Sequence, residues 1–158
     1  MDEQALKSAT KKENQALERK WGKAAIEAGY TAVPLVMLKY QQRLGLNPLD
    51  VNVLMQILSY WWKEGGLPRP SKKSLATAIG VDLSTVRRCL MRLEKMGLIQ
   101  RCYQRTASGA NRPNQYDFTG LITMLKPIAE EELEEIRKRK LRKQHQLAGK
   151  KPALKVVK

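Results

Sequence analysis

Two short helical patterns joined by only three residues constrain this chain more than any other feature. Ser71 is a strong helix start, because its hydroxyl can accept a backbone N–H that a helix start leaves unpaired. The run KKSLATAI behind it places Leu75, Ala76 and Ile79 on one face. Gly80-Val81-Asp82 makes a tight turn. A second run, LSTVRRCLMRLEKM, starts at once with Asp82 or Ser84 as its cap and stops at Gly97. Ser71 to Met96 therefore predicts a helix-turn-helix.

The segments on either side complete one modest core. Leu98 to Arg105 alternates as a strand, TASGANRP has turn composition, and Asn114 to Phe118 returns as a second strand, so a hairpin follows the helix pair. Upstream, Asn47 as cap, Pro48 at the first helical position and Asp50 at the third open LDVNVLMQILSYWWKE. That run is apolar nearly all round, as a buried helix is, and Gly65-Gly66 stops it. Leu67-Pro-Arg-Pro70 predicts an extended connector, since each proline drives its predecessor out of the helical region. Tyr30 to Val33 predicts a short strand, and Pro34 opens a helix running through Leu44 to Gly45.

Both ends read as helical extensions. Asp2 to Ala28 has helix-forming composition without proline and predicts a helix ending at Gly29, with Leu17 and Trp21 as packing residues for a partner subunit. From Thr119 the pattern is helical again, with Pro127 marking either a kink or a fresh start. In EEELEEIRKRKLRK the acids precede the bases, which predicts the pairs Glu134 with Lys138 and Glu135 with Arg139 and a solvated acidic face from Glu130 to Glu135. The expected fold is mainly α with a small β-hairpin wing and helical extensions at both ends. Its divisions are an N-terminal extension over 1–29, a core over 30–126, a charged helix over 127–146 and a basic tail over 147–158.

Charge narrows the partner. With 30 Lys and Arg against 15 Asp and Glu in 158 residues, the chain carries a net charge of +15 and is drawn to polyanions. No stretch approaches the ~18 consecutive apolar residues of a membrane span, so no membrane partner is expected. The amino terminus lacks a signal-peptide apolar core, and a cytoplasmic location is expected. Cys89 and Cys102 are then expected to stay free thiols. His145 stands alone in a basic segment, and neither a glycine-rich phosphate loop nor a grouped acid and base is present, so no metal, cofactor or enzymatic activity is expected. Trp61 and Trp62 are expected at the end of a buried helix, in core or dimer packing.

The second helix of the pair carries the binding chemistry. At about 100° per residue, Val86, Cys89, Leu90 and Leu93 point inward, while Ser84, Arg88, Met91 and Lys95 point outward with Thr85, Arg87 and Arg92 on the flanks. An α-helix of this kind fits a DNA major groove, ~12 Å wide. An arginine fork can donate two bonds to guanine, which makes Arg87 and Arg88 the leading contact residues. Ser84 and Thr85 sit at the amino end, where contacts concentrate in such motifs. Ser71, Lys72 and Lys73 begin the preceding helix, whose amino terminus suits a phosphate. Arg101, Arg105, Asn111 and Arg112 decorate the hairpin, where they could follow the backbone or enter a minor groove. From Ser71 to Arg112, nine basic residues face only Asp82 and Glu94.

PSKKSLATAIGVDLSTVRRCLMRLEKMGLIQR resembles the helix-turn-helix of bacterial winged-helix proteins, matching S-x-x-x-L-A-x-x-x-G-V-s-x-x-T-V-x-R-x-L-x-x-L-E-x-x-G-L-I. With the upstream helix and the NQYDF strand, the resemblance spans Leu46 to Phe118. The lead-in YTAVPLVMLKYQQRLGLNPLDVNVL is similar to the winged-helix domains of DnaD-type and of plasmid or phage replication proteins, while MarR-like and GntR-like repressors share the core. The resemblance implies a winged helix-turn-helix core that binds double-stranded DNA. A transcriptional regulator acting as a homodimer, with no small-molecule effector evident, is the leading expectation. A plasmid or phage replication or partition protein binding origin DNA, and an RNA-binding protein, are the alternatives.

Overall fold

The computed structural model describes residues 15–62, 65–103 and 114–148, and falls into two units that divide after Val33. In the first unit, residues 15–21 are helical (α1) and Lys23–Glu27 form a second short helix, α2. The expected single helix is thus broken at Gly22, whose φ of 86° lies where only glycine sits easily. Glycine within a helix costs about 1 kcal/mol relative to alanine, and the apolar face around it is too thin to offset that. Residues 29–34 form no strand. A strand needs a ladder partner, and the sheet among the described residues has two strands, both from the hairpin.

The second unit holds the core. Helix α3, Leu35–Lys39, starts after Pro34 and ends earlier than expected, passing through turns at 40–45. Gly45, at φ 71°, closes that segment as Leu46 N–H donates back to Gln41. Helix α4, Pro48–Leu58, opens as the sequence predicts: Asn47 Oδ1 accepts from Asp50 N–H, and Asp50 Oδ2 accepts from Asn47 N–H. It stops at Leu58, six residues short of the expected end at Glu64. Trp61 leaves the helix to lay its ring on Phe118, 5.5 Å between centroids, and this packing outweighs local helix preference. Trp61 and Trp62 are therefore not the buried end of a helix; Trp62 is 68% exposed.

The connector of residues 67–70 is extended as expected, with Pro68 and Pro70 buried. Tyr116 N–H donates to Pro68 C=O at 3.1 Å, so the connector lies along the open edge of the hairpin. An edge position suits proline, which has no N–H to give a ladder. Helices α5, Lys72–Ile79, and α6, Leu83–Lys95, follow with Gly80 at φ 76° between them. Strands β1, Gln100–Cys102, and β2, Gln115–Asp117, pair antiparallel with Arg101 opposite Tyr116, a shorter ladder than the sequence predicts. The tip between them, with Arg105, Asn111 and Arg112, lies outside the described residues. Helix α4 packs across both α5 and α6 around buried Val53, Leu54, Ile57, Leu75, Val86 and Leu90.

Helix α7 runs unbroken from Thr119 to Ala148, with Pro127 inside it. The fresh start considered at Pro127 is not taken, so the expected division at 126/127 falls within one helix. Its start is docked by the backbone: Leu121 N–H donates to Leu98 C=O at 3.0 Å, and Asp117 Oδ1 accepts from Thr119 N–H at 2.8 Å. Gly120 permits this approach, since a Cβ there would fall on the carbonyl of Gly97, 3.0 Å from its carbon and closer still to its oxygen. Further along, α7 packs on α3 and is tied by charge to its end and the turn after it: Glu132 accepts from Lys39 and Tyr40, and Glu131 takes both terminal nitrogens of Arg43, one at 2.9 Å. The acids expected to be only solvated are thus in part an anchor. Among the described residues Glu135 pairs with Lys138, at 3.1 Å, rather than with Arg139.

Candidate nucleic-acid interface

Helices α5 and α6 present their surface because their ends are closed by local chemistry. Ser71 Oγ accepts from Ser74 N–H at 2.9 Å, capping α5. At its far end Val81 N–H reaches back to Ala76 C=O across Gly80. Asp82 stands at the cap position of α6 without a side-chain cap bond. The other end of α6 is sealed at Gly97, φ 71°, where Leu98 N–H donates to Leu93 C=O and Gly97 N–H to Glu94 C=O.

The faces of α6 divide as the periodicity predicts. Val86, Cys89, Leu90 and Leu93 are buried, while Ser84, Arg87, Arg88, Met91 and Lys95 are exposed and Thr85 is half-buried. Arg88 Nη2 donates to Thr85 Oγ1 at 3.2 Å, which lays the guanidinium along the helix toward its amino end. Lys73 is exposed and Lys72 half-buried at the start of α5. Lys73 and Thr85 line one shallow cleft with the turn Gly80-Val81-Asp82, so the start of α5 and the start of α6 open onto one surface.

Two of the candidate contact residues turn inward. Arg92 pairs with Asp50, which is completely buried, while 42% of the Arg92 side chain stays exposed. Cys89 Sγ–H donates to the other oxygen of Asp50 at 3.0 Å. One carboxylate therefore caps α4 and fastens α6 to it. Burial pushes the Cys89 thiol up to about 11, so it is a packed, protonated donor and not a nucleophile. Arg101 likewise reaches back to Glu94, its Nε donating at 2.8 Å and its backbone N–H at 3.3 Å. That pairing holds the Glu94 carboxyl below its ordinary range. Sequence reasoning missed Asp50 and Glu94 as organisers. A buried-type helix opening on an aspartate, and one acid within a basic helix, were the available signals.

Leu17 and Trp21 lie on α1, with Leu17 half-buried and Trp21 exposed beneath Lys20 Nζ, 5.9 Å from the ring centre. Both cysteines are free thiols. Among the described residues no helix is long and apolar enough to cross a membrane, and no three His, Cys, Asp or Glu side chains are grouped to hold a metal ion.

Residues 44–99 match the model of a helix-turn-helix domain family. The N-terminal domain of the DnaD protein from Geobacillus kaustophilus HTA426 is similar in structure at 23% identity, covering 70% of this chain and 93% of that one with a TM-score of 0.50. MarR aligns at 24% identity over 73% of this chain and 85% of its own, TM-score 0.38. YusO from Bacillus subtilis aligns at 20% identity over 96% of this chain and all of its own, TM-score 0.39. No curated protein matches the chain.

Proposed function

Taking the chain as a winged helix-turn-helix protein, we propose that it binds double-stranded DNA sequence-specifically, with α6 in the major groove, and acts as a transcriptional regulator. The observation that carries this is the sorting of arginines on α6. Arg92 is fastened to Asp50, whereas Arg87 and Arg88 stand exposed with no ion pair among the described residues, Arg88 directed toward the helix start by Thr85. An arginine fork held at the amino end of an exposed helix is suited to the O6 and N7 acceptors of guanine. Ser71, Lys72 and Lys73 at the start of α5 are placed to grip phosphate, where unpaired backbone N–H groups add to the lysine charge. Ser84 is exposed at the first turn of α6 and completes the contact set.

Arg105, Asn111 and Arg112 are further DNA contacts in our proposal, while Arg92 and Arg101 serve it chiefly by holding α6 and the hairpin in place. The active form is a homodimer joined through α1 at Leu17 and Trp21, matching the two-fold symmetry of an inverted repeat. A truncation lacking Met1 to Gly29 that stayed dimeric by ultracentrifugation would overturn that interface. The same module would serve a plasmid or phage replication protein, for which several spaced sites in one origin, instead of a single promoter site, are expected. The test is selection of bound duplexes from a random pool with the wild type and with Arg88→Ala. The expected result is one enriched motif whose preference relaxes at one position in the variant, and no enriched motif from the wild type would defeat the proposal.

A further inference from the structure

The distal half of α7 concentrates positive charge without the uses that usually explain it. Arg137, Lys138, Arg139, Lys140, Arg142 and Lys143 fall within seven residues, and all are exposed. Lys138 pairs with Glu135, and Arg139 lies within electrostatic reach of Glu132. Arg137, Lys140, Arg142 and Lys143 have no acidic partner among the described residues. One turn back, at three and four residues, only Arg137 meets an acid, Glu134; Lys140, Arg142 and Lys143 meet Ile136 or other bases. The helix dipole does not account for the cluster, because its effect is confined to the last turn, where His145 is the basic residue. Spacings of three and four residues, as in Arg139 with Arg142 and Lys143, place like charges side by side, an arrangement that works against the helix.

We propose that residues 137–143 of α7 form a second surface for nucleic-acid phosphate, separate from the reading face of α6 and indifferent to base sequence. The proposal rests on the DNA-binding reading above. At 100° per residue these six cations are spread around the whole circumference of the helix, with Leu141 the one apolar residue among them. A charged cylinder without an apolar face neutralises a polyanionic backbone well and enters a lipid surface poorly, since membrane-lying helices need a continuous apolar side. Binding to phosphate would also relieve the like-charge crowding, so the partner stabilises the element that binds it.

The test uses the full chain with Arg137→Gln, Lys140→Gln, Arg142→Gln and Lys143→Gln combined, beside Arg87→Ala with Arg88→Ala. Affinity is measured against salt on the selected duplex, on a random-sequence duplex, and on vesicles containing phosphatidylserine. Each phosphate contact contributes about 0.9 to the slope of log affinity against log salt, so losing four lowers the slope by up to about 3.6. The expected result is that fall on both duplexes, with the ratio of selected to random affinity unchanged. Glutamine favours helix and removes repulsion, and helical circular dichroism of the variant at or above wild type establishes that the helix persists. An unchanged slope overturns the proposal, as does a loss of vesicle binding with duplex binding intact. Failure of the underlying reading has a different signature: the Arg87 and Arg88 variant keeps the wild-type preference for the selected duplex.

Discussion

Helices α6 and α7 are both rich in arginine and lysine, yet their charges are organised in opposite ways. On α6 the sorting is radial: one arginine turns inward to buried Asp50, and the others face out from a helix that the core holds on its far side. On α7 it is axial: the acids of the middle section bind the end of α3 and the turn after it, and the bases beyond them have little to bind among the described residues. The difference is one of precision. A helix fastened along its length by a core and a buried carboxylate can hold a guanidinium to the tolerance that base reading requires. A helix anchored over its proximal part can supply attraction but not register.

Changes at the fastening points break this contrast most strongly. Asp50→Ala removes the α4 capping partner, the ion pair with Arg92 and the acceptor of Cys89 together, and should destabilise by about 3 kcal/mol in urea unfolding, the lower end for a broken buried pair because Arg92 can turn to water. Gly120→Ala forces a Cβ against the Gly97 carbonyl and should cost about 1–3 kcal/mol, with faster exchange of the Leu121 amide as the start of α7 lifts from Leu98. These two changes loosen the two regions separately, so their costs should add.

Smaller changes sharpen the comparison. Glu94 is held below its ordinary 4.5 by Arg101, so the pair contributes stability above that pH and loses it as the pH falls through the lower, folded-state value. Glu94→Gln should therefore be less stable than wild type at neutral pH, and the two should converge in acid unfolding below pH 4.5. Glu131→Gln breaks an exposed pair with Arg43, and its effect should be the smallest: a slight fall in thermal midpoint that added salt abolishes.

What the sequence shows of this fold is what is settled within a few residues. The Asn47-Pro48-Asp50 opening, the Ser71 cap, the tight turn at Gly80 and the left-handed stop at Gly97 are each local chemistry, and each stands in the structure as its residues predict. The inward and outward faces of α6 were equally legible, because a period of 3.6 residues fixes them once the helix is granted. Contacts that cross the chain were not. Nothing near Asp50 announces Arg92 and Cys89, about forty residues away, and nothing near Gly120 announces the Gly97 carbonyl. The place of Trp61 is hidden for the same reason, since its partner Phe118 belongs to the far side of the hairpin. The break at Gly22 is a different case: a single glycine at φ 86° ends the helix although the composition on both sides favours it.

The central claim, that α6 reads bases through Arg87 and Arg88, is tested most directly by competition between the selected duplex and a scrambled one. Wild-type protein should prefer the selected duplex, and Arg87→Ala with Arg88→Ala should lose most of that preference, each arginine being worth about 1–3 kcal/mol of discrimination if it reads a base. Its fold should stay intact, because both side chains are exposed. A double variant that discriminates as well as the wild type would contradict the account.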